Sequence, residues 1–258
     1  MSLHSANLEY SNRRLAVVVV PTYDEKENIA EIIEDTLSQQ HKIEGFDLHV
    51  LVSDGHSQDG TLEIVGEISS NNPNVHLLDI QKRGIGVGLY NGFRHAIEKL
   101  GAEVLIEMDA DFQHNPSDIP ELLRGIADGY DVVIGSRFVE GSMNKMPPFR
   151  RILSVGANLV IRWMLGLKEI TEITTSYRAF TKEIFLKIDP DSVPWQEKSF
   201  IAVPVFLVRM IEAGACAKEI PMTMHPRTRG YSKMAYSRYI RDIFMFSLRS
   251  RLDKQRNQ

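Results

Sequence analysis

Residues 15–25 read LAVVVVPTYDE, an apolar run of six residues followed by a proline and then by polar and charged side chains. A continuous run rich in β-branched residues is typical of a strand that is buried on both faces. We therefore predict a strand over residues 15–20, ended by Pro21. A strand of this kind belongs to a sheet that is covered by helices on both sides.

The chain beyond this strand alternates between strand and helix patterns. Further strands are predicted at 47–53, 75–80, 104–108 and 131–136, with shorter ones at 176–181 and 217–224. Helices are predicted at 27–39, 62–70, 84–100, 116–128, 150–165 and 200–213, the last with Pro204 at a kink or in its first turn. Such alternation with short connections predicts an α/β fold, a Rossmann-related and mostly parallel sheet flanked by helices.

Composition narrows the class of protein. The 258 residues are 43% hydrophobic and 25% charged, as expected for one globular domain with an appendage and not for a disordered chain. The one cysteine, Cys216, excludes an intramolecular disulfide and fits a reducing compartment, and its apolar neighbours predict a core position. We find neither a signal peptide nor an apolar run near the roughly 20 residues of a membrane helix, so we expect a cytoplasmic location.

Charge is distributed unevenly along the chain. The net charge is −4, but the segment from Arg227 onward carries nine Lys or Arg against two Asp, a balance of +7, and the rest of the chain therefore carries −11. An acidic body argues against general nucleic-acid binding. A basic-tailed nucleic-acid binder remains open as an alternative, and it would show salt-sensitive binding to DNA or RNA.

The basic segment 236–258 is predicted to contain an amphipathic helix. Its apolar residues share one helical face, and they are Tyr236, Ile240, Ile243, Phe244 and Leu248. The rest of the circumference carries Arg238, Arg241 and Arg249. Two interpretations are open: an interfacial helix on an anionic membrane, or a terminal helix packed on the domain with a solvated basic side.

The residues that follow each predicted strand carry the candidate chemistry, because α/β sheets bind ligands at the carboxyl ends of their strands. Asp109-Ala110-Asp111 follows the strand at 104–108. Two carboxylates at i and i+2 can reach one hard cation from the same side, and Mg²⁺ or Mn²⁺ prefers such oxygen ligands and shares them with substrate phosphates. A metal–diphosphate site is predicted here, with a solvated loop of helix-capping aspartates as the alternative.

Other strand ends carry residues with two possible roles. Asp54 ends the second strand, where a carboxylate can accept a hydrogen bond from a nucleotide base or ribose. Asp24 follows the first strand and has two possible roles: it binds the nucleotide as Asp54 would, or Asp24 or Glu25 caps the helix at 27–39. Asp59 is interpreted as the cap of the helix at 62–70. The glycines at 84, 86 and 88 do not have the spacing of a dinucleotide fingerprint, and we expect them to let the chain pass close to a ligand or to the metal loop.

Taken together, the order and spacing of these motifs resemble inverting family 2 glycosyltransferases, in the dolichol-phosphate mannosyltransferase branch. The matching segments are, in chain order, Val20-Pro21-Thr22-Tyr23-Asp24-Glu25, Asp54 with Ser57-Gln58-Asp59-Gly60-Thr61, Lys82 with Gly86 and Gly88, Asp109-Ala110-Asp111-Phe112-Gln113-His114, Gly135-Ser136-Arg137-Phe138, Arg150 with Ser154-Val155-Gly156-Ala157-Asn158, Thr174-Thr175-Ser176-Tyr177-Arg178, and Arg227 with Gly230-Tyr231-Ser232-Lys233. The resemblance implies a GT-A-like fold, with a catalytic domain over 15–235 between an N-terminal tail, 1–14, and the basic amphipathic helix of 236–258.

The resemblance also implies roles for individual residues. The nucleotide sugar would be bound by residues at the strand ends, namely Pro21, Tyr23, Asp24, Glu25, Asp54, Lys82, Gly88, Asp109, Ala110, Asp111 and Arg137. The metal would be held by Asp109, Asp111 and Gln113, and the phosphate of the acceptor by Arg137, Arg150 and Ser154. The catalytic residues would be Asp111, Arg227 and Lys233, which stabilise the leaving group, with Lys233 closing over the site.

The implied reaction is the metal-dependent, inverting transfer of mannose from GDP-mannose to a polyprenyl (dolichyl) phosphate. A phosphate monoester is largely ionised at neutral pH, since its second pKa is about 6, so the attack needs no strong general base. The reaction instead requires stabilisation of the negative charge on the leaving diphosphate, which Mg²⁺ or Mn²⁺ and cationic side chains would supply. Because no membrane helix is predicted, the protein would act peripherally at the cytoplasmic face of a membrane or through a small membrane partner protein.

Departures from the family pattern leave other functions open. Where the family usually has two aspartates, this sequence has Asp54-Gly55. Where the family usually has Ser-Gly-Phe-Arg, it has Thr175-Ser176-Tyr177-Arg178, and the aspartate that precedes this motif in the family is replaced by Glu172. The same reaction with UDP-glucose or another nucleotide sugar is therefore the nearest alternative, and a non-catalytic nucleotide-sugar-binding subunit of a membrane complex is a second. The histidines that might hold zinc lack the spacing for it and are expected at the surface or in loops, namely His56, His95, His114 and His225.

Overall fold

The structure of the protein, a computed structural model, describes residues 13–167, 169–196, 200–227, 229 and 236–256. Its strands are β1 Arg14–Thr22, β2 Phe46–Asp54, β3 Val75–Asp79, β4 Val104–Glu107, β5 Val132–Ser136, β6 Met143–Asn144, β7 Arg178–Thr181, β8 Ala217–Pro221 and β9 Thr223–Met224. Seven of them form one sheet in the order β3-β2-β1-β4-β7-β5-β8, and β6 pairs with β9. All neighbours in the large sheet are parallel except β7, so the predicted mostly parallel α/β sheet is confirmed.

Helices cover both faces of this sheet. They are α1 Ile29–Ser38, α2 Thr61–Asn71, α3 Ile85–His95, α4 Ile119–Ala127, α5 Pro148–Leu165, α6 Lys182–Leu186, α7 Ala202–Glu212 and α8 Tyr236–Arg256. A π-helical turn, Ala96–Leu100, extends α3, and a 3₁₀ turn, Pro116–Asp118, precedes α4. Pro204 lies in the first turn of α7, where its missing N–H has no intrahelical partner to lose. The helix predictions are thus confirmed within a few residues, and α6 is an addition to them.

The side chains of β1 alternate between two hydrophobic cores. Val17 and Val19 belong to the core on one face of the sheet, while Val18 and Val20 belong to the core on the other. Burial on both faces explains why the sequence shows a continuous apolar run. The prediction that Pro21 ends the strand is wrong, because pairing with β2 continues to Thr22. A proline this close to the end of a strand removes only one donor from the ladder.

β7 is the feature of the sheet that the alternating pattern does not predict. It lies between β4 and β5 and is antiparallel to both. Its first residue, Arg178, is directly opposite Glu107, the last residue of β4. The chain that enters β7 therefore passes beside the chain that leaves β4, and this brings residues 174–176 to the predicted ligand-binding edge.

β8 forms one edge of the sheet, and this position corrects the expectation for the lone cysteine. Cys216 immediately precedes β8 and is exposed, so the prediction that it lies in the core is wrong. An edge strand is covered on fewer sides than a central one, and the first three residues of β8 are only partly buried. The apolar stretch around Cys216 therefore borders the core without placing the thiol inside it.

The carboxyl-terminal helix α8 packs along α5. Ile243 and Ser247 of α8 are buried, whereas Ile240, Phe244 and Leu248 are exposed. The helix thus packs on the domain and at the same time leaves an apolar stripe in solvent. Within the described ranges, no helix combines the length and the apolar character that crossing a bilayer requires.

Candidate active site

A cavity of about 430 Å³ lies at the carboxyl ends of the central strands. Most of the residues predicted to bind substrates or metal line it: Pro21, Tyr23, Glu25, Lys82, Gly88, Asp109, Ala110, Asp111, Gln113, Arg137, Arg150, Ser154 and Arg227. Asp24 and Asp54 do not line this cavity. Lys233 lies outside the described residues, so its predicted position is not addressed by the structure.

The paired carboxylates lie in the loop that follows β4. Asp109 accepts a hydrogen bond at Oδ1 from the hydroxyl of Ser176 (2.9 Å). Burial raises the pKa of Asp109 to about 6. Burial and the charge of Asp109 also raise the pKa of Asp111. Two neighbouring carboxylates with raised pKa values, one buried and one partly buried, form a site with a preference for a cation.

Arg227 supplies positive charge to these carboxylates. Its Nη2 donates to Oδ2 of Asp111 (2.6 Å), and its Nη1 lies 3.6 Å from Oε1 of Glu25. Although Arg227 and Asp111 are 116 residues apart in the chain, the fold brings them into direct contact. The sequence assigned both to the chemistry of the leaving group, and the structure brings them together.

The donor atoms in this loop fit a divalent cation such as Mg²⁺ or Mn²⁺. Gln113 donates from Nε2 to Sδ of Met146 (3.0 Å) and to the carbonyl of His225 (3.3 Å), which leaves its Oε1 as an oxygen ligand. With Asp109 and Asp111 this makes three hard oxygen donors from one short loop. Among the described residues there is no cluster of three His, Cys, Asp or Glu that could hold a metal. Asp109, Asp111 and Gln113 thus stay predicted ligands, of the oxygen type that Mg²⁺ and Mn²⁺ prefer.

Asp54 is buried within a closed set of hydrogen bonds. Its Oδ2 accepts from the hydroxyls of Thr22 (2.6 Å) and Ser57 (2.7 Å), and its Oδ1 accepts from the backbone N–H of Ser57 (2.7 Å). These bonds tie the end of β1 to the loop after β2. Its predicted contact with nucleotide remains a prediction, since both carboxylate oxygens already have donors.

Asp24 and Asp59 support the same loop from the other side. Asp24, at a positive φ of 52°, accepts at Oδ1 from the backbone N–H of Gln58 (3.1 Å). Asp59 accepts at Oδ1 from the N–H of Thr61, the first residue of α2 (3.0 Å). The N-cap position itself is occupied by Gly60, so the interpretation of Asp59 as the helix cap is wrong by one residue. Neither side chain lines the cavity, whereas Glu25 does.

The glycines that precede and begin α3 allow close packing between protein segments. A Cβ on Gly86 would lie 2.5 Å from the carbonyl oxygen of Trp195, and one on Gly88 would lie 3.2 Å from the side chain of Pro21. Only Gly88 of these two lines the cavity. Gly84 also lines the cavity, so the expectation that these glycines admit a ligand stays a prediction for Gly84 and Gly88. Gly86 is instead required by close packing against Trp195.

The predicted acceptor side of the cavity carries arginines. Arg137 donates to both oxygens of Glu172 (2.5 and 2.7 Å) and to the hydroxyl of Thr174 (2.8 Å), and its side chain is only 9% exposed. The ion pair with Glu172 raises the pKa of Arg137 despite the burial that opposes it. Arg150 and Ser154, in α5, line the same cavity. The carboxylates predicted for the donor side and the arginines predicted for the acceptor side thus line one cavity.

His114 is the residue that sequence reasoning missed. It was expected to have a surface or loop role, but the structure places it in the loop and 1% exposed, so a surface position is wrong. Its Nδ1 accepts from the backbone N–H of Asp109 (3.2 Å), and its ring stacks on Tyr177 with centroids 4.8 Å apart. Burial lowers the pKa of His114 to about 4. The signal available in the sequence was its position three residues after Asp111.

Tyr23 and Arg83 form a second feature that the sequence did not predict. The guanidinium of Arg83 lies 3.9 Å from the centroid of the Tyr23 ring, a cation–π arrangement. Both residues line the cavity beside Lys82, which donates from Nζ to Oε1 of Gln196 (2.5 Å). Residues from the loops after β1 and β3 thus meet on one wall.

Comparison with known proteins adds independent findings. The family model described as glycosyl transferase family 2 matches residues 17–188. A polyprenol monophosphomannose synthase of Mycolicibacterium smegmatis is 35% identical over 93% of this chain and 89% of that protein. An undecaprenyl-phosphate mannosyltransferase of Micrococcus luteus is 34% identical over 85% of this chain and 87% of its own length. A dolichol-phosphate mannosyltransferase of Pyrococcus furiosus is 30% identical over 88% of this chain, which spans 62% of that relative.

Solved structures confirm the GT-A-like fold. Glucosyl-3-phosphoglycerate synthase of Mycobacterium tuberculosis, solved with Mn²⁺, UDP and glucosyl-3-phosphoglycerate, superposes with a TM-score of 0.63 at 15% identity, covering 97% of this chain and 84% of that one. A mannosyltransferase of Pyrobaculum calidifontis, solved with GDP-Man and Mn²⁺, gives 0.58 at 20% identity, covering 92% and 64%. At these identities the likeness concerns the architecture.

Proposed function

Since this chain belongs to glycosyl transferase family 2 and is a glycosyltransferase, we propose that it transfers mannose from GDP-mannose to a polyprenyl phosphate. Three relatives at 30–35% identity have names that specify mannosyl transfer or polyprenol phosphomannose synthesis, which supports the sugar and the lipid phosphate. The observation that carries the proposal is the single cavity lined by both the Asp109–Gln113 loop and the arginine-bearing start of α5.

On the donor side, Asp109, Asp111 and Gln113 would hold the metal that accompanies the diphosphate. A bound Mg²⁺ or Mn²⁺ would supply Lewis-acid stabilisation of the charge that develops on the leaving nucleoside diphosphate. Mn²⁺ in the solved complexes of the two structural neighbours supports its use as a probe. Arg227 contacts Asp111 directly, and its planar fork suits phosphate oxygens when substrate is present.

On the acceptor side, the protein has to bring one anion close to another. A lipid phosphate is largely ionised at neutral pH and attacks without a general base, since its second pKa is about 6. Arg137, Arg150 and Ser154 would orient it and offset the repulsion between the two phosphates. Arg137 is held in place by Glu172 and Thr174, so it offers a fixed position at little entropic cost.

We expect label from GDP-mannose to enter an organic-extractable lipid when the full chain is mixed with polyprenyl phosphate and Mn²⁺ or Mg²⁺. UDP-glucose is run in parallel to test the donor. Label from UDP-glucose alone would replace the donor but keep the reaction class. Binding of a nucleotide sugar without transfer to any acceptor would favour a non-catalytic binding subunit. Salt-dependent retention of DNA or RNA by the protein on a filter would favour a basic-tailed nucleic-acid binder.

The exposed surface of α5 and α8 supports action at a membrane. Of the thirteen large hydrophobic residues exposed in the described part of the chain, eleven belong to these two helices: Phe149, Ile152, Val155, Leu159, Val160, Trp163, Ile240, Phe244, Met245, Leu248 and Leu252. The same two helices carry seven arginines, namely Arg150, Arg151, Arg162, Arg238, Arg241, Arg249 and Arg251. Helices that combine exposed apolar side chains with arginines suit the interface of an anionic bilayer. We propose peripheral attachment through this surface, which also forms a wall of the cavity through Arg150 and Ile240.

Ile152→Ser with Leu159→Ser should weaken binding to vesicles that contain anionic lipid by at least about tenfold, because each side chain would lose about 1–2 kcal/mol of burial in the interface. The two residues are 70% and 60% exposed, so the fold should not change. Leu186→Ser is the matched control, since Leu186 is 65% exposed on α6. Co-sedimentation gives the binding, and transfer to detergent-dissolved acceptor should be unaffected. An equal loss of transfer in detergent and on vesicles would show that these side chains are structural.

A further inference from the structure

We propose that His114 donates a hydrogen bond from Nε2 to a hydroxyl of the transferred sugar and thereby determines which sugar is accepted. The inference rests on the proposed function, because it places a sugar in the cavity that His114 lines. It assigns to a buried histidine a role in donor recognition that is separate from metal and phosphate binding.

The tautomer of His114 is set by the backbone. Nδ1 accepts the N–H of Asp109 (3.2 Å), so Nδ1 carries no proton and the ring proton is on Nε2. In the described part of the chain no hydrogen bond engages Nε2. His114 lines the cavity, so an imidazole N–H that has no protein partner can donate to a ligand oxygen there.

The ring is also fixed in orientation. It lies 6° from parallel with the ring of Tyr177, with the centroids 4.8 Å apart. Tyr177 is itself anchored, since its hydroxyl donates to the backbone carbonyl of Asn115 (2.6 Å). A hydrogen-bond donor with a fixed tautomer and a fixed plane can distinguish the orientations of sugar hydroxyls. Stereoisomeric hexoses such as mannose and glucose differ in this property.

The position of the ring favours the sugar over the phosphates. His114 lines the same cavity as Asp111, on the predicted donor side, and Arg137, on the predicted acceptor side. The transferred sugar joins these two sides, since its anomeric carbon bonds first to the donor diphosphate and then to the acceptor phosphate. The phosphates have arginines available, so an uncharged N–H is better matched to an uncharged hydroxyl.

Two substitutions separate the two nitrogens of the ring. In His114→Asn the amide oxygen can still accept from the N–H of Asp109, but nothing replaces Nε2. In His114→Gln the amide nitrogen reaches the position of Nε2 and can still donate, whereas the contact with Asp109 is lost. Both variants lose the stacking of the imidazole on Tyr177, so any effect of losing that stacking is the same in the two variants.

The test measures the affinity of the full chain for GDP-mannose and for GDP by calorimetry with Mn²⁺, without acceptor. We expect His114→Asn to weaken GDP-mannose binding by about threefold to tenfold while GDP binding is unchanged, which is the loss of one neutral hydrogen bond. His114→Gln should stay within about twofold of the unmodified protein. Mannosyl transfer should follow the same order, and the ratio of kcat/KM for GDP-mannose and GDP-glucose should fall in His114→Asn.

Three outcomes would overturn the inference. An equal loss of GDP-mannose and GDP binding in His114→Asn would mean that the histidine acts through the Asp109 loop. An unmodified ratio of the two affinities in both variants would mean that no sugar hydroxyl meets Nε2. A larger loss of GDP-mannose affinity in His114→Gln than in His114→Asn would assign the role to Nδ1. Failure of transfer to polyprenyl phosphate would instead count against the proposed acceptor, because these affinities are measured without one.

Discussion

Asp111→Asn should lower sugar transfer by at least about 10²-fold and leave the fold intact. Asp111 lies in a loop after β4, where its Oδ2 accepts from Arg227 (2.6 Å) and its Oδ1 accepts from the backbone N–H of Gln113 (3.0 Å). An amide in its place has one oxygen in place of two and no charge. It therefore cannot accept from both partners, and it is a much weaker ligand for a hard cation.

The loss should appear in metal affinity as well as in rate. Titration of the full chain with Mn²⁺ in the presence of GDP should show weaker binding in Asp111→Asn. Asp128→Asn is the matched control, because it removes the same charge from a surface pair with Lys218 (3.3 Å) away from the cavity. Circular dichroism and thermal unfolding should be unchanged in both. Transfer at the unmodified rate by Asp111→Asn would remove the metal assignment together with the role given to Arg227.

The sheet could be predicted because its central strands are buried on both faces. Val17 to Val20 lie in two different cores, so each of these four positions of β1 is apolar and the strand can be recognised from the sequence. The direction and place of β7 could not be predicted, since periodicity identifies a strand but not its neighbours. Its pairing depends on contacts such as Glu107 opposite Arg178, which join residues 71 positions apart.

The site was predictable in its outline and not in its internal contacts. The loop Asp109-Ala110-Asp111 stands out in the sequence because carboxylates follow a buried strand. Other contacts depend on how separate loops meet in space. Asp54 accepts hydrogen bonds from Thr22 and Ser57. Arg137 is paired with Glu172. A single sequence shows which groups are charged, but it does not show which charges already have partners.

The apolar stripe of α5 illustrates a different limit. The sequence analysis identified the stripe of α8 because its polar face is strongly basic. In α5, large apolar residues occur on two opposite sides, with Ile161 and Met164 buried and Ile152 and Leu159 exposed. A helix that is apolar on both sides has the pattern of a core helix. Only the structure shows that the side with Ile152 and Leu159 is exposed to solvent.

Arg178→Met should destabilise the protein by about 3–5 kcal/mol, because it leaves Glu107 as an unpaired charge in the core. Both side chains are fully buried, and Nε of Arg178 lies 3.1 Å from Oε2 of Glu107. Arg178 also donates from Nη2 to the backbone carbonyls of Thr175 and Val203. Burial raises the pKa of Glu107 to about 7 even beside this arginine, so without it the carboxylate would be costlier still.

The double variant Glu107→Met with Arg178→Met identifies the cause of that loss. Removing both charges leaves two side chains of similar volume in an apolar environment, so the double variant should recover more than half of the free energy of unfolding that the single variant loses. Urea denaturation followed by circular dichroism measures both. If the double variant is as unstable as Arg178→Met, the loss comes from the carbonyls of Thr175 and Val203 and not from Glu107.

The same pair should also matter for the site, through register. Glu107 and Arg178 are direct cross-strand partners of antiparallel strands, and the same register continued by two residues places Asp109 opposite Ser176. The hydroxyl of Ser176 does donate to Oδ1 of Asp109 (2.9 Å), so the predicted metal ligand lies on the continuation of the two strands that the buried pair joins. The double variant should therefore regain stability but bind Mn²⁺ with GDP more weakly than the unmodified protein. Unchanged Mn²⁺ affinity in that variant would show that β4 and β7 keep their register through apolar packing alone.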